Sequence, residues 1–126
     1  MNPINLPNFF TLAKNVSKHS TYHIRVGAVL VLHGTPVACG FNTVKTHPKL
    51  AMRLNAMIHA EVSALATCNK LNIKGATCFV YRETKNGTPA LARPCDDCWR
   101  ALRARGVKWV YYSTNTYPYF QVEKIT

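Results

Sequence analysis

The chain has 126 residues, 48% of them hydrophobic and 17% charged, with no internal repeat or low-complexity linker, and a length of this order points to one domain, residues 1–126. Sixteen Lys and Arg against five Asp and Glu give a formal charge of +11, which implies an anionic partner or else a basic surface kept for solubility. No apolar run approaches the roughly 18 residues of a membrane span, and Met1 to Phe10 has no basic region before an apolar core, so neither a span nor a signal peptide is expected and the protein is expected in the cytoplasm.

Asn8 to Lys18 sets Phe9, Phe10, Leu12, Ala13 and Val16 at helical spacing behind Asn8 as N-cap, and predicts a first helix packed on a sheet. Val26 to Leu32 is a nearly continuous apolar run that suits a central strand buried on both faces. His33-Gly34-Thr35 supplies a turn, and Pro36 to Phe41 returns as the second strand of a hairpin. Asn42 follows it, where an Asn often ends a strand by bonding its own backbone. Thr43 to Met57 is a connection that contains Thr46-His47-Pro48 and the cations Lys45, Lys49 and Arg53.

His59 to Cys68 reads as the second helix, with Val62, Leu65 and Ala66 in one stripe, Ala64 beside it, and Asn69 and Asn72 able to end it. Ala76 to Tyr81 is the third strand. Glu83 to Arg93 is an extended loop with Asn86-Gly87 as a tight-turn signal. The third helix, Cys95 to Arg105, places Trp99 and Leu102 against the sheet and Arg100, Arg103 and Arg105 largely outward. Gly106 stops it, and Val107 to Ser113 is the fourth strand. Thr114 to Pro118 is too short for the crossover that a parallel strand needs, so a strand over Phe120 to Ile125 must return antiparallel to the fourth. The aromatic residues there, Tyr111, Tyr112, Tyr117, Tyr119 and Phe120, suit base stacking or, more commonly, sheet core.

The chemistry lies in His59-Ala60-Glu61 and Pro94-Cys95-Asp96-Asp97-Cys98. A catalytic zinc keeps three protein ligands and leaves its fourth tetrahedral position to water, and His59, Cys95 and Cys98 supply one nitrogen and two thiolates. Two cysteines separated by two residues reach one metal when they open a helix, whose N-terminal dipole favours the thiolate, and Pro94 suits that entrance. Glu61 is turned about 200° from His59 on a helix, so it makes a poor fourth ligand yet can take a proton from water at the metal. A lone Cys-x-x-Cys also occurs as a redox pair or half of a structural zinc knuckle. A closed structural site would need a fourth strong ligand, and no second Cys-x-x-Cys or His-x-x-x-His provides one. Cys39, Cys68 and Cys78 lie among apolar residues and are expected as small buried hydrophobes.

His-x-Glu followed by Pro-Cys-x-x-Cys is the signature of the zinc-dependent base deaminases. On these motifs the chain resembles the cytidine and deoxycytidylate deaminase superfamily, in the branch with His before the catalytic Glu, from the strand near Arg25 to the strand ending near Ser113. The resemblance implies a three-layer α/β/α fold with a mixed sheet of about five strands, a Zn2+ cofactor, Asn42 as a contact to the substrate sugar and the backbone of Ala60 as a support for the pyrimidine edge. Relatives are commonly oligomers, which makes a homo-oligomer an expectation. The antiparallel last strand departs from the tRNA adenosine deaminases and editing cytidine deaminases, which have a helical crossover there. Thr43-Val44-Lys45 stands where a Gly-containing turn is usual, which argues against control by an allosteric nucleotide.

Cations on both sides of the motifs, Lys45, Lys49 and Arg53 before His59 and Arg82, Lys85 and Arg93 before Pro94, are expected at the pocket rim, with Lys45 and Arg93 as substrate contacts. The Lys45 segment reads equally as a solvated loop with scattered charges. The expected activity is hydrolytic deamination of a cytosine nucleotide or nucleoside, deoxycytidylate first, with Glu61 moving the protons. The alternatives are a strand-editing cytosine or adenine deaminase that binds single-stranded nucleic acid and, more remotely, a non-enzymatic module in which zinc is structural.

Overall fold

The structure, a computed structural model, describes residues 8–44 and 57–126. Helix α1 spans Asn8–Ser17, α2 Ala60–Thr67 and α3 Asp96–Ala104; the strands are β1 Arg25–Leu32, β2 Thr35–Phe41, β3 Thr43–Val44, β4 Met57–Ile58, β5 Thr77–Glu83, β6 Pro89–Ala90, β7 Trp109–Ser113 and β8 Phe120–Lys124. The main sheet runs β2-β1-β5-β7-β8, with β6 paired to β5, and β3 and β4 form a small separate ladder. It is mixed: β5 and β7 are parallel across α3, and every other pairing is antiparallel.

The hairpin turns on His33 and Gly34, at φ 52° and 77°, the two positive values that let a two-residue turn match the twist of its strands. β8 returns antiparallel to β7, with Phe120 opposite Ser113 and Lys124 opposite Trp109, as the short connection requires. β5 runs two residues further than the apolar pattern predicts, and β6 folds back on it with Ala90 opposite Arg82. The sequence hides this extension because Arg82 and Glu83 are polar and β6 begins with a proline.

Side chains alternate across the sheet and build two cores, which makes the molecule three-layered. On one face Phe10, Ala13 and Val16 of α1 cover Val29, Val31, Phe79 and Tyr81. On the other, Ala60, Ala64 and Leu65 of α2 and Leu102 of α3 cover Ala28, Leu30, Cys78, Val80 and Val110. Both close approaches need glycine. A Cβ on Gly27 would collide with the Ala13 carbonyl of α1, and one on Gly40 would stand 2.5 Å from the Ala64 nitrogen and 2.7 Å from the Ala60 carbonyl of α2.

Ala60, Ala64 and Leu65 therefore make the buried apolar stripe of α2; Leu65 lies in it as expected, whereas Val62 and Ala66 are exposed. α3 ends in a Schellman motif: Gly106 at φ 87° lets the Val107 amide donate to the Leu102 carbonyl at 3.1 Å and its own amide donate to Arg103 at 3.0 Å. Arg105 does not point outward as expected. Its guanidinium donates to the carbonyls of Leu65, Cys68 and Leu71, satisfying the C-terminal end of α2. Cys39 on the edge strand is exposed, whereas Cys68 and Cys78 are buried as expected. Tyr111 and Phe120 pack with Phe10 and Phe79 under α1, so these two aromatics are core. Among the described residues, no helix is long and apolar enough to cross a membrane.

Candidate active site

The N-termini of α2 and α3 meet at the same end of the sheet, and the proposed ligands sit at the two helix starts. His59 is the N-cap of α2 (φ −72°, ψ 154°) and Cys95 that of α3 (φ −67°, ψ 169°). Neither side chain makes a capping hydrogen bond, so both are turned to each other instead. His59 Nδ1 lies 3.1 Å from Cys98 Sγ and 3.5 Å from Cys95 Sγ, and the three ligand atoms lie within 4.8 Å of one another. Ligands held at 2.0–2.3 Å from one tetrahedral centre stand about 3.5–3.8 Å apart. One imidazole nitrogen and two sulfurs at this spacing fit zinc.

Burial pushes the Cys98 thiol pKa well up, and Glu61 and Cys95 push it further. A cation held at the site would draw that sulfur towards the thiolate. Glu61, in the first turn of α2, is buried beside the cluster. Burial raises its pKa, opposed by its own backbone amide, by His59 and by Cys98.

The loop that delivers Cys95 is tied from behind by Ser113 at the end of β7. Its hydroxyl donates to the Ala90 carbonyl at 2.6 Å and accepts from the Arg82 amide at 3.0 Å, and its carbonyl accepts from the Ala92 amide at 2.9 Å.

A cavity of about 330 Å³ opens over His59, Glu61 and Cys95. Asn42, Ala60, Arg82 and Arg93 line it, as sequence reasoning placed them, while Lys45 lies outside the described residues together with Lys49 and Arg53. Asn42 is buried; its Oδ1 accepts from the Val26 amide at 2.9 Å and its Nδ2 donates to the Ile24 carbonyl at 2.6 Å, so the side chain pins the start of β1 rather than its own backbone. Arg93 is engaged by Glu123, Nε to Oε2 at 2.7 Å, and lies over the Trp99 ring at 4.6 Å. Lys85 does not border this cavity; it lines a different hollow. Tyr22, Ile24 and Leu91 complete the apolar wall and were missed by sequence reasoning. Only the adjacent aromatic pair Tyr22-His23 could have signalled the first of them.

A three-layer α/β/α fold with a His/Cys/Cys zinc site at two converging helix starts, beside a buried glutamate, defines a zinc-dependent hydrolytic deaminase. The model of the family described as "Cytidine and deoxycytidylate deaminase zinc-binding region" matches residues 4–114, and the chain belongs to that family. Among solved structures it is similar to the dCMP deaminase of cyanophage S-TIM5 in apo form, at 27% identity over 94% of this chain and 89% of that one, with a TM-score of 0.68. The same phage enzyme in complex with dCMP and dUMP gives 24% identity, 90% and 84% coverage and a TM-score of 0.64. Cytidine deaminase from Burkholderia pseudomallei shares the fold at 22% identity, 94% and 91% coverage and a TM-score of 0.71. No curated protein sequence matches the chain.

Proposed function

We propose that this deaminase acts on a cytosine nucleotide, deoxycytidylate first, and releases the uracil nucleotide and ammonia. One observation carries the preference for a phosphorylated substrate: Arg82, half-buried in the wall of the zinc cavity, has no carboxylate partner among the described residues. By strand alternation Arg82 shares the face of Val80, which also lines the cavity, so its guanidinium belongs to that space. A guanidinium there matches the oxygens of a phosphate. The phage enzyme's complex with dCMP and dUMP supports the same substrate class.

Zinc held by His59, Cys95 and Cys98 supplies Lewis-acid activation of water near neutral pH. Glu61 takes the proton of the attacking water and delivers it to N3 as the C4–O bond forms. It then carries a second proton, taken from the new C4 hydroxyl, to the amino nitrogen as the C4–N bond breaks, the C4 carbonyl forms and ammonia leaves. The Ala60 amide, in the first helical turn and without an intrahelical acceptor, holds the pyrimidine edge. Asn42, fixed by its bonds to Ile24 and Val26, meets the sugar. Arg82, with Arg93 and Lys45, takes the phosphate.

The test offers deoxycytidylate, deoxycytidine and a cytosine-containing single strand in parallel to the zinc-loaded protein at low salt, with ammonia and uracil product measured. Preference for deoxycytidylate supports the reading, and equal turnover of deoxycytidine removes the phosphate contact from it. The +11 charge favours a second reading, deamination within a single strand. Preference for the strand, with activity collapsing as salt rises, would establish that one.

A further inference from the structure

A second hollow lies at the same end of the sheet. β1 and β5 pair with Val26 opposite Arg82 and Arg25 opposite Glu83. Successive side chains alternate between faces, so Val26 and Arg82 face the zinc cavity while Arg25 and Glu83 face the α1 side. The hollow there measures about 430 Å³ and is walled by Lys18 after α1, by Thr21, His23 and Arg25 leading into β1, and by Lys85 in the turn after β5. Tyr22 lines both this hollow and the zinc cavity, with its ring centroid 4.2 Å from that of His23. The two spaces meet across one tyrosine.

Three permanent cations, Lys18, Arg25 and Lys85, share the hollow with one carboxylate, Glu83. None of the three forms an ion pair among the described residues, although Arg25 and Glu83 are direct cross-strand partners. Glu83 leans towards the turn instead: its Oε1 lies 3.6 Å from where a Cβ on Gly87 would stand. Three cations against one carboxylate leave this concave space with excess positive charge, and an anion bound between the cations relieves their repulsion. Ammonium, guanidinium and the Thr21 hydroxyl are all donors, which suits the several acceptor oxygens of a phosphate.

We propose that this hollow is a phosphate-binding subsite that continues the active site past Tyr22 and receives a phosphate beyond the one next to the substrate sugar. That phosphate comes either from the tail of a nucleoside triphosphate or from the phosphodiester of a flanking nucleotide. The connection to substrate rests on the deaminase reading above; the binding of phosphate in the hollow does not.

The test uses the zinc-loaded full chain and an Arg25→Gln, Lys85→Gln double variant, whose altered side chains are exposed and outside the zinc cavity. Tripolyphosphate is titrated by calorimetry at low salt, and the variant is expected to lose about tenfold or more in affinity. Equal affinity in the two proteins overturns the subsite. The ratio kcat/KM is then compared for deoxycytidine, deoxycytidylate, deoxycytidine triphosphate and a cytosine-containing trinucleotide. The first two should stay within about twofold, since neither carries a phosphate beyond the sugar-proximal one, while at least one of the other two falls about tenfold. A fall with the triphosphate alone assigns its tail, and a fall with the trinucleotide assigns the flanking phosphodiester. An equal fall on all four substrates, or on none, overturns the proposal. If neither protein turns over any cytosine compound the deaminase reading fails, while the tripolyphosphate comparison still decides the hollow.

Discussion

Glu123 of β8 grips Arg93, two residues before the zinc ligand Cys95, with Nε to Oε2 at 2.7 Å and Nη2 to Oε1 at 3.3 Å. The same Oε2 accepts the Tyr112 hydroxyl of β7 at 2.6 Å. The last strand is thereby fastened to the loop that presents the metal ligand. An antiparallel β8 brings Glu123 opposite Val110, close enough for that contact.

Arg93 and then Tyr112 hold the Glu123 carboxyl below its usual 4.5. A carboxyl whose folded pKa is depressed adds stability above the unfolded value and loses it as pH falls through the folded one. The pair is 44% and 35% exposed, so its worth is about 1 kcal/mol or less. Glu123→Gln should lower the melting temperature by a few degrees at pH 7 and by progressively less as the medium is acidified towards pH 3, followed by circular dichroism. An equal deficit at both pH values would mean that packing, not charge, is what Glu123 supplies.

Glu61→Gln should reduce kcat by about 10²–10⁴ while zinc content stays at one per chain. Glu61 stands outside the group of three ligand atoms, so its loss removes a proton carrier and leaves the metal site whole. Metal analysis alongside turnover checks this, and a zinc-free variant would count against the role.

Cys98 is 1% exposed and belongs to both the metal cluster and the start of α3. Cys98→Ala should abolish zinc binding and lower stability, because the free energy of metal binding is also folding free energy. In the parent protein protons compete with zinc for thiolates that burial disfavours, so zinc should leave progressively as pH falls. A chromogenic chelator reads the release. Retention of zinc by Cys98→Ala would remove Cys98 from the ligand set.

The zinc site was legible because its chemistry is written in residue types at short spacing, His59 with Glu61 and Cys95 with Cys98. The first hairpin and the antiparallel last strand followed from apolar runs and from the short link before Phe120. Less legible was whatever depends on approach distance. The close approach at Gly40 turns α2 so that Ala60, Ala64 and Leu65 are buried while Val62 and Ala66 are left exposed. Arg105 reads as a surface cation until the open C-terminus of α2 stands beside it. Arg82 and Lys85, three residues apart, fall into different cavities because one lies in a strand and the other in the turn that follows.

Gly40 offers the sharpest check on how the fold holds the site. Its missing side chain lets α2 lie directly on β2, and the atoms a Cβ would meet are backbone atoms of Ala60 and Ala64, with Ser63 Cβ at 2.8 Å. Backbone cannot turn aside as a flexible side chain would, so Gly40→Ala must push α2 outward or bend β2. Overpacking of this kind costs about 1–3 kcal/mol. Because His59 and Glu61 ride on the start of α2, zinc affinity and kcat should fall along with stability. Gly34→Ala is the control: Gly34 has φ 77° and nothing within 4 Å of its would-be Cβ. It should cost about 1–2 kcal/mol of backbone strain in the hairpin turn and leave zinc affinity and kcat unchanged. Thermal melts, zinc titration and turnover on both variants separate the two effects, and a Gly40→Ala protein that melts lower yet binds zinc and turns over normally would show that α2 does not set the site.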